Sequence, residues 1–246
     1  MDRMLYVAMN GAKGTLLQQG TNNNNLANLN TTGFRADYDT FVSQSVGGAG
    51  HDTRNYSTYF SAGVSQSSGS LFTTGRDLDI AIKGEGYIAV QDNKGGEAYT
   101  RAGDLKIGSG GILQTQSGNL VLGNAGPIAI PPYTKLQIGE DGTISIQGVG
   151  QSTSELAEVD RIKLVTISNA KMKKDLNGLL LPSEGGEAIV DGTVSVTSGA
   201  LETSNVNPVD SLVNMISLAR QFEIQVKLMK AAEENEVASA KLLKMQ

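Results

Sequence analysis

The sequence predicts an α+β fold: an amphipathic helix at each end, the two forming a coiled-coil-like helical domain, with an irregular antiparallel β domain between them. Three observations predict it. Near both ends, apolar residues recur in alternating steps of three and four, which places them on one helical stripe. Residues 77–204 break instead into short alternating segments bounded by Gly, Asn and Asp, the pattern of half-buried strands. The 246 residues include 30 Gly and no Trp, with aromatics at only 5%, which suits turns and short strands around a modest core.

The first helix is expected over residues 1–30, with Asp2 as N-cap. Its seam reads Met1, Leu5, Ala8, Ala12, Thr15, Gln19, Asn22, Leu26 and Leu29, apolar at both ends and polar in the middle. Gly11, Gly14 and Gly20 weaken it by about 1 kcal/mol each relative to Ala. Gly33 suits a left-handed stop. Six of the nine residues 22–30 are Asn, a mediocre helix former. A buried amide on a seam costs stability but selects register. Asn22 and Asn28 are therefore expected to set register, and Leu26, Leu29, Leu212, Phe222 and Met229 to supply affinity.

Residues 35–76 change composition. Gly/Ser-rich runs at 45–50 and 65–70 flank the strand-like stretch 56–60, so the segment reads as a linker or an extended hairpin arm. In the β domain, strands are expected at 79–82, 87–90, 98–101, 104–107, 112–115, 119–122, 128–130, 135–138, 143–146, 162–167, 188–190 and 193–196, with 151–158 as a loop or short helical turn. Asp141-Gly142 and Asp191-Gly192 supply turn chemistry between alternating pairs. The last helix opens on Asn207 as N-cap and Pro208 at the first position. Its seam reads Leu212, Met215, Ala219, Phe222, Val226, Met229, Glu233, Glu236, Ala240 and Leu243. The domains are thus 1–34 with 205–246, 35–76, and 77–204.

Isolated helices of this kind are marginal in water, and pairing them within one chain covers only part of each stripe. Burial against other copies is expected, with the chain ends of a free subunit ordering only when neighbours cover them.

Several function classes are disfavoured. A net charge of −5 with no basic face argues against nucleic acid. No apolar run approaches the roughly 18 residues of a membrane span. The longest apolar run in the first twenty residues is 4–9, too short for a secretory signal core, which alone would read as cytoplasmic. There is no Cys, hence no disulfide or thiolate metal site. The single His, His51, sits in a Gly-rich stretch and reads as a solvated loop residue, and no G-x-S-x-G elbow exists. Gly84-Glu85-Gly86 lies between strands with no helix after it, so it reads as a hairpin turn, and no Gly-Lys dipeptide offers a phosphate loop. Asp77 and Asp79 share a strand face and read as a solvated edge rather than an acid/base or calcium pair. No catalytic residue, metal or cofactor is expected. A cell-wall-binding module would need an aromatic platform, and a cell-wall-cleaving enzyme a catalytic constellation; neither stands out.

Residues 24–35, Asn-Asn-Leu-Ala-Asn-Leu-Asn-Thr-Thr-Gly-Phe-Arg, resemble the N-terminal signature of the bacterial flagellar rod and hook family. Residues 201–209, Leu-Glu-Thr-Ser-Asn-Val-Asn-Pro-Val, resemble its C-terminal signature, with Met215-Ile216, Arg220, Phe222-Glu223 and Lys227 following. Residues 77–87, 99–105 and 111–115 resemble its core strands in the same order. Leu105 stands where the family more often has Phe, and Asp210-Ser211-Leu212 where an acidic-Met pair is common. Within that family the opening Met1–Met9 stretch, Asp141-Gly142-Thr143-Ile144-Ser145 and the short chain resemble the proximal rod subunit, with the distal rod subunit the runner-up and the hook subunit longer. The resemblance implies a non-enzymatic subunit of a tubular axial assembly crossing the periplasm, partnered by copies of itself and other rod proteins. It implies export through the flagellar type III apparatus without a cleaved signal, helices lining an inner tube and the β domain an outer layer. The assembly interface it implies comprises Leu5, Ala8, Ala12, Asn22, Leu26, Asn28, Leu29, Gly33, Phe34, Asn205, Val206, Leu212, Met215, Ala219, Phe222, Val226 and Met229.

Overall fold

The computed structural model describes residues 3–45, 47, 55–150, 156–167, 172–175, 177–182 and 188–244. Met1, Asp2, His51 and most of the 151–158 segment lie outside the described residues, as does the Leu243 side chain. The chain divides into two compact units. Unit 1 is Met1–Ala27, Asp37–Ala62 and Asn207–Gln246; unit 2 is Asn28–Ala36 and Gly63–Val206.

Unit 1 holds two helices, α1 (Arg3–Ala27) and α2 (Pro208–Lys244), and two paired strands, β1 (Asp37–Ser45) and β2 (Asn55–Val64). The expected seam of α1 is its least exposed stripe: Ala8, Ala12 and Thr15 are buried, and Leu5, Gln19, Asn22 and Leu26 half-buried. On α2, Ser211 and Ala232 are buried while Met215, Leu218, Phe222, Gln225 and Met229 are half-buried, again in steps of four and three. The helices run antiparallel. The Gln225 amide lies so close to Gly11 that a Cβ there would meet it at 2.8 Å, and Asn22 Nδ2 donates to the Ser211 carbonyl at 2.8 Å. The α2 seam is rotated by one residue at two of the expected positions. Ser211 and Leu218 turn inward, and Leu212 and Ala219 stay exposed. Asn207 caps α2 as expected, its Oδ1 accepting from the Val209 amide at 3.0 Å.

The β1–β2 ribbon packs on α1 through side chains from both. Phe41 meets the Tyr59 ring edge-on, centroids 5.8 Å apart, and lies against Gly14, where a Cβ would stand 3.0 Å from its ring. Asn25 gives and takes a hydrogen bond with the Asp37 backbone, at 3.1 and 2.9 Å, as a neighbouring strand would. Asn10 Nδ2 donates to the Ser57 carbonyl at 2.9 Å.

Unit 2 is antiparallel β structure. The strands are β3 (Leu71–Thr73), β4 (Ile80–Lys83), β5 (Tyr87–Gln91), β6 (Glu97–Thr100), β7 (Leu105–Ile107), β8 (Leu113–Thr115), β9 (Leu120–Val121), β10 (Tyr133–Ile138), β11 (Thr143–Gly148), β12 (Ala157–Arg161), β13 (Leu164–Val165), β14 (Met172–Lys174), β15 (Leu180–Pro182), β16 (Ser195–Ser198) and β17 (Ala200–Glu202). The largest sheet runs β14-β15-β6-β5-β9-β8-β7, with β13 also on β5, and β10-β11-β12 form a meander. Strands β16 and β17 return to pair with β4 and β3, so late chain closes over early chain. Of the expected strands, 128–130 and 188–190 contribute only isolated bridges, from Ala129 to Ile112 and from Val190 to Val165.

Strand β5 shows why the core sits where it does. Ile88 and Val90 point into one apolar cluster, with Ile80, Leu105, Leu113, Val121 and Ile144. Tyr87 and Ala89 point into a second, with Tyr99, Val165, Met172 and Leu180. Alternate side chains of a strand face opposite ways, so β5 is buried on both faces. Each fully buried Ile, Leu or Val is worth about 1.5–3 kcal/mol, and β5 contributes Ile88 and Val90 to that share.

Candidate functional site

Two features stand out from the residues upward. The first is a polar clasp inside unit 2. Glu202, at the end of β17, is 1% exposed and takes a guanidinium on each oxygen. Arg35 Nη2 lies 2.9 Å from Oε1, and Arg101 Nη1 donates to Oε2 at 2.9 Å. The Gly69 amide also donates to Oε1, at 2.9 Å. The arginines are 3% and 4% exposed at the side chain. Each spends another nitrogen on a carbonyl: Arg101 Nη2 on Gly84 at 2.6 Å, Arg35 Nη1 on Ser67. Arg101 also lies over the Tyr87 ring at 5.3 Å. Burial pulls the Arg35 guanidinium below its ordinary pKa; Glu202 opposes that and Arg101 adds to it. Burial likewise raises the Tyr87 phenol, against the two arginines.

The flanking residues extend the clasp. Gly33, at φ 65°, donates its amide to the Glu202 carbonyl at 2.8 Å, and a Cβ there would fall 2.3 Å from the Arg101 carbonyl carbon. Phe34 is buried beneath Lys174, whose ammonium sits 3.7 Å from the ring centroid and donates to the Arg35 carbonyl at 2.8 Å. Asn205 accepts from the Ala36 amide at 2.8 Å and donates to the Ser67 carbonyl at 2.8 Å. The two terminal signature segments of the sequence therefore meet each other here.

The second feature is the far face of α2 in unit 1. Opposite its seam lie Val209, Val213, Ile216 and Ile224, all exposed, with Leu212 beside them. Val213, Ile216, Arg220 and Ile224 line an open groove of about 410 Å³. On α1, Tyr6, Met9, Leu16 and Leu17 are exposed away from its seam. A helix apolar on opposite faces is the pattern of one buried on both.

The expected interface residues fall into four groups. Leu5, Ala8, Ala12, Asn22 and Leu26, with Met215, Phe222, Val226 and Met229, lie along the α1–α2 seam or its border. Gly33, Phe34, Asn205 and Val206 belong to unit 2, the first three within the clasp and Val206 buried beside it. Leu212 and Ala219 are exposed. Asn28 and Leu29 are half-buried in the turn after α1, where the Thr31 hydroxyl donates to Asn28 Oδ1 at 3.1 Å. Gly33 lies beyond the end of α1 at Ala27, so its left-handed backbone serves the clasp rather than the helix. Sequence reasoning assigned no role to Arg35, Arg101, Glu202 or Lys174; the first three lie within the family-like stretches and Lys174 in none. It also took Asp79 for a solvated edge. Asp79 is buried, accepting from the Thr74 hydroxyl at 2.6 Å with Arg76 at 3.5 Å; Asp77 is exposed. Among the described residues no group of three His, Asp or Glu is placed to hold a metal ion.

A buried ion cluster whose charges are paired within unit 2 and exposed apolar residues on the helices of unit 1 are features of a protein built to pack rather than to turn over a substrate. The family described as "Flagellar basal body rod FlgEFG protein C-terminal" matches residues 197–242, and "Flagellar hook protein FlgE/F/G D1 domain" matches residues 81–146. The chain is 38% identical to the flagellar basal-body rod protein FlgF of Salmonella typhimurium and 37% identical to that of Escherichia coli, over the whole of both chains in each case. It is 34% identical to the flagellar basal-body rod protein FlgG of Bacillus subtilis, over 95% of this chain and 96% of that one. The chain belongs to the flagellar basal-body rod and hook family, as a structural rod subunit of the F type.

Proposed function

We propose that the chain polymerises head to tail with other rod proteins into the axial shaft that carries motor torque towards the hook, and that unit 1 supplies the polymerising surface. The observation that carries this reading is the second apolar face of α2, uncovered within unit 1. Two different faces meeting between copies make a contact that does not close on itself, which builds a helical filament rather than a dimer. Val209, Leu212, Val213, Ile216, Ala219 and Ile224 are the contact residues of α2, and the α1–α2 seam holds them in line. The rod's place in the periplasm and the flagellar type III route out of the cytoplasm belong to this proposal and rest on the family alone.

Substituting Ile216→Asp and Ile224→Asp tests it, because both side chains point away from the α1 seam. The doubly substituted protein should keep its helix content and unfolding midpoint yet be missing from purified basal bodies, with motility lost. Normal incorporation of this variant would refute the assignment of the face.

A further inference from the structure

We propose that the Arg35–Glu202–Arg101 cluster is a closure lock: unit 2 shuts only when the segment 200–205, among the last of its residues to be made, delivers the one carboxylate that two buried arginines require. Arg35 and Arg101 both precede Glu202 in the chain, so a growing chain holds both cations before it holds their counter-charge. Bringing two guanidiniums together in a site only a few per cent exposed is opposed twice, by desolvation and by like-charge repulsion. Both arginines depend on the same counter-charge, because Glu202 divides its oxygens between them.

The backbone tells the same story as the side chains. Strands β3 and β4 pair with β17 and β16, so their ladders are complete only after residue 202. The Gly33 amide needs the Glu202 carbonyl, the Gly69 amide its carboxylate, and the Ala36 amide the Asn205 side chain, 169 residues away. Several early segments thus wait on one late one, and a single charged residue stands at their common point. The lock makes closing of the β unit a test that the chain has been delivered nearly whole, and holds an incomplete chain open.

Charge and shape are separable at position 202. Glu202→Gln keeps the shape and removes the charge; Glu202→Asp keeps the charge and shortens the reach. In the full chain, hydrogen exchange of residues 80–121 should speed up by about 100-fold or more in the Gln variant, given what one lost partner of a buried ion pair costs. The Asp variant should retain more protection than Gln. Glu140→Gln, which breaks an exposed pair with Lys83, should leave exchange unchanged. On stalled ribosomes, unit 2 should resist protease when residue 206 has emerged and not when only residue 198 has. Gln protecting as well as or better than Asp would make position 202 a matter of shape and overturn the proposal. So would a protease-resistant unit 2 in the shorter nascent chain.

Discussion

At the scale of single residues, two Asp-Gly-Thr turns show how local chemistry sets charge. Asp141 accepts from both the Thr143 hydroxyl, at 2.7 Å, and the Thr143 amide, at 3.1 Å. Those two bonds hold its carboxyl below the usual carboxylate value against the opposing effect of burial, with Arg161 adding a lesser pull downwards. Asp191 repeats the arrangement with Thr193. A carboxylate depressed in the folded state contributes stability above its unfolded pKa and loses it as pH falls through the folded value. The turns should therefore loosen only in acid, below about pH 4. Because Asp141 is largely in solvent, the effect on global stability is small. Thr143→Val removes the hydroxyl donor and should move the Asp141 titration upwards, towards the ordinary range, with Asp191 unmoved as an internal control. Carboxyl-carbon NMR titration reads both sites at once. An unmoved Asp141 would show that the amide alone sets its charge. These turns were legible, since Asp-Gly between alternating strands has a known backbone preference. The role of Gly33 was only half legible. Its left-handed backbone follows from glycine, but the reason no Cβ fits is the Arg101 backbone, far off in sequence.

At the scale of elements, the Asn-rich end of α1 has a different meaning from the one its seam position suggests. Asn22 lies on the seam as expected, but its amide satisfies the Ser211 carbonyl of the same chain. Asn25 and Asn10 lie off the seam and hold the β1–β2 ribbon by its backbone. A poor helix former is tolerated where its amide replaces a missing backbone partner. Periodicity finds seams, since both helices declare them in apolar steps, but it cannot tell which of two apolar stripes a neighbour covers. That is why the α2 seam came out one residue off at Leu212 and Ala219. Short polar strands such as β12 and β14 escaped for the opposite reason, having too few apolar residues to alternate. Asn25→Ala should cost about 1 kcal/mol in the ribbon's attachment, two partly exposed hydrogen bonds being lost. Amide exchange of residues 37–45 should rise while strands β5 and β6 keep theirs. Asn23→Ala, at an exposed position, should be neutral or slightly stabilising on helix propensity. Equal behaviour of the two variants would remove the special role of Asn25.

At the scale of the whole molecule, the two helices differ in what covers them. With 25 and 37 residues they measure about 37 and 55 Å, at roughly 1.5 Å per residue. Among the described residues Ala232 is the last buried one of α2, and every residue from 233 to 242 is exposed, Val237 and Leu242 among them. The sequence alone led to the expectation that both ends of a free subunit stay unfolded. The seam within unit 1 narrows that expectation, because residues 211–232 carry buried and half-buried positions facing their own chain, whereas residues 233–242 are exposed. A helical stretch without tertiary cover is marginal in water. In dilute protein, amide exchange along α2 should be slow from about residue 212 to 232 and fast beyond. On incorporation into rods the fast segment should become protected, and the slow one should change little. Uniform protection along α2 in the dilute subunit would mean that the exposed end needs no neighbour, and would remove the reason to give it one. Uniformly fast exchange would mean that the α1–α2 seam itself forms only on assembly, and that the helices of unit 1 draw their stability from other subunits rather than from each other.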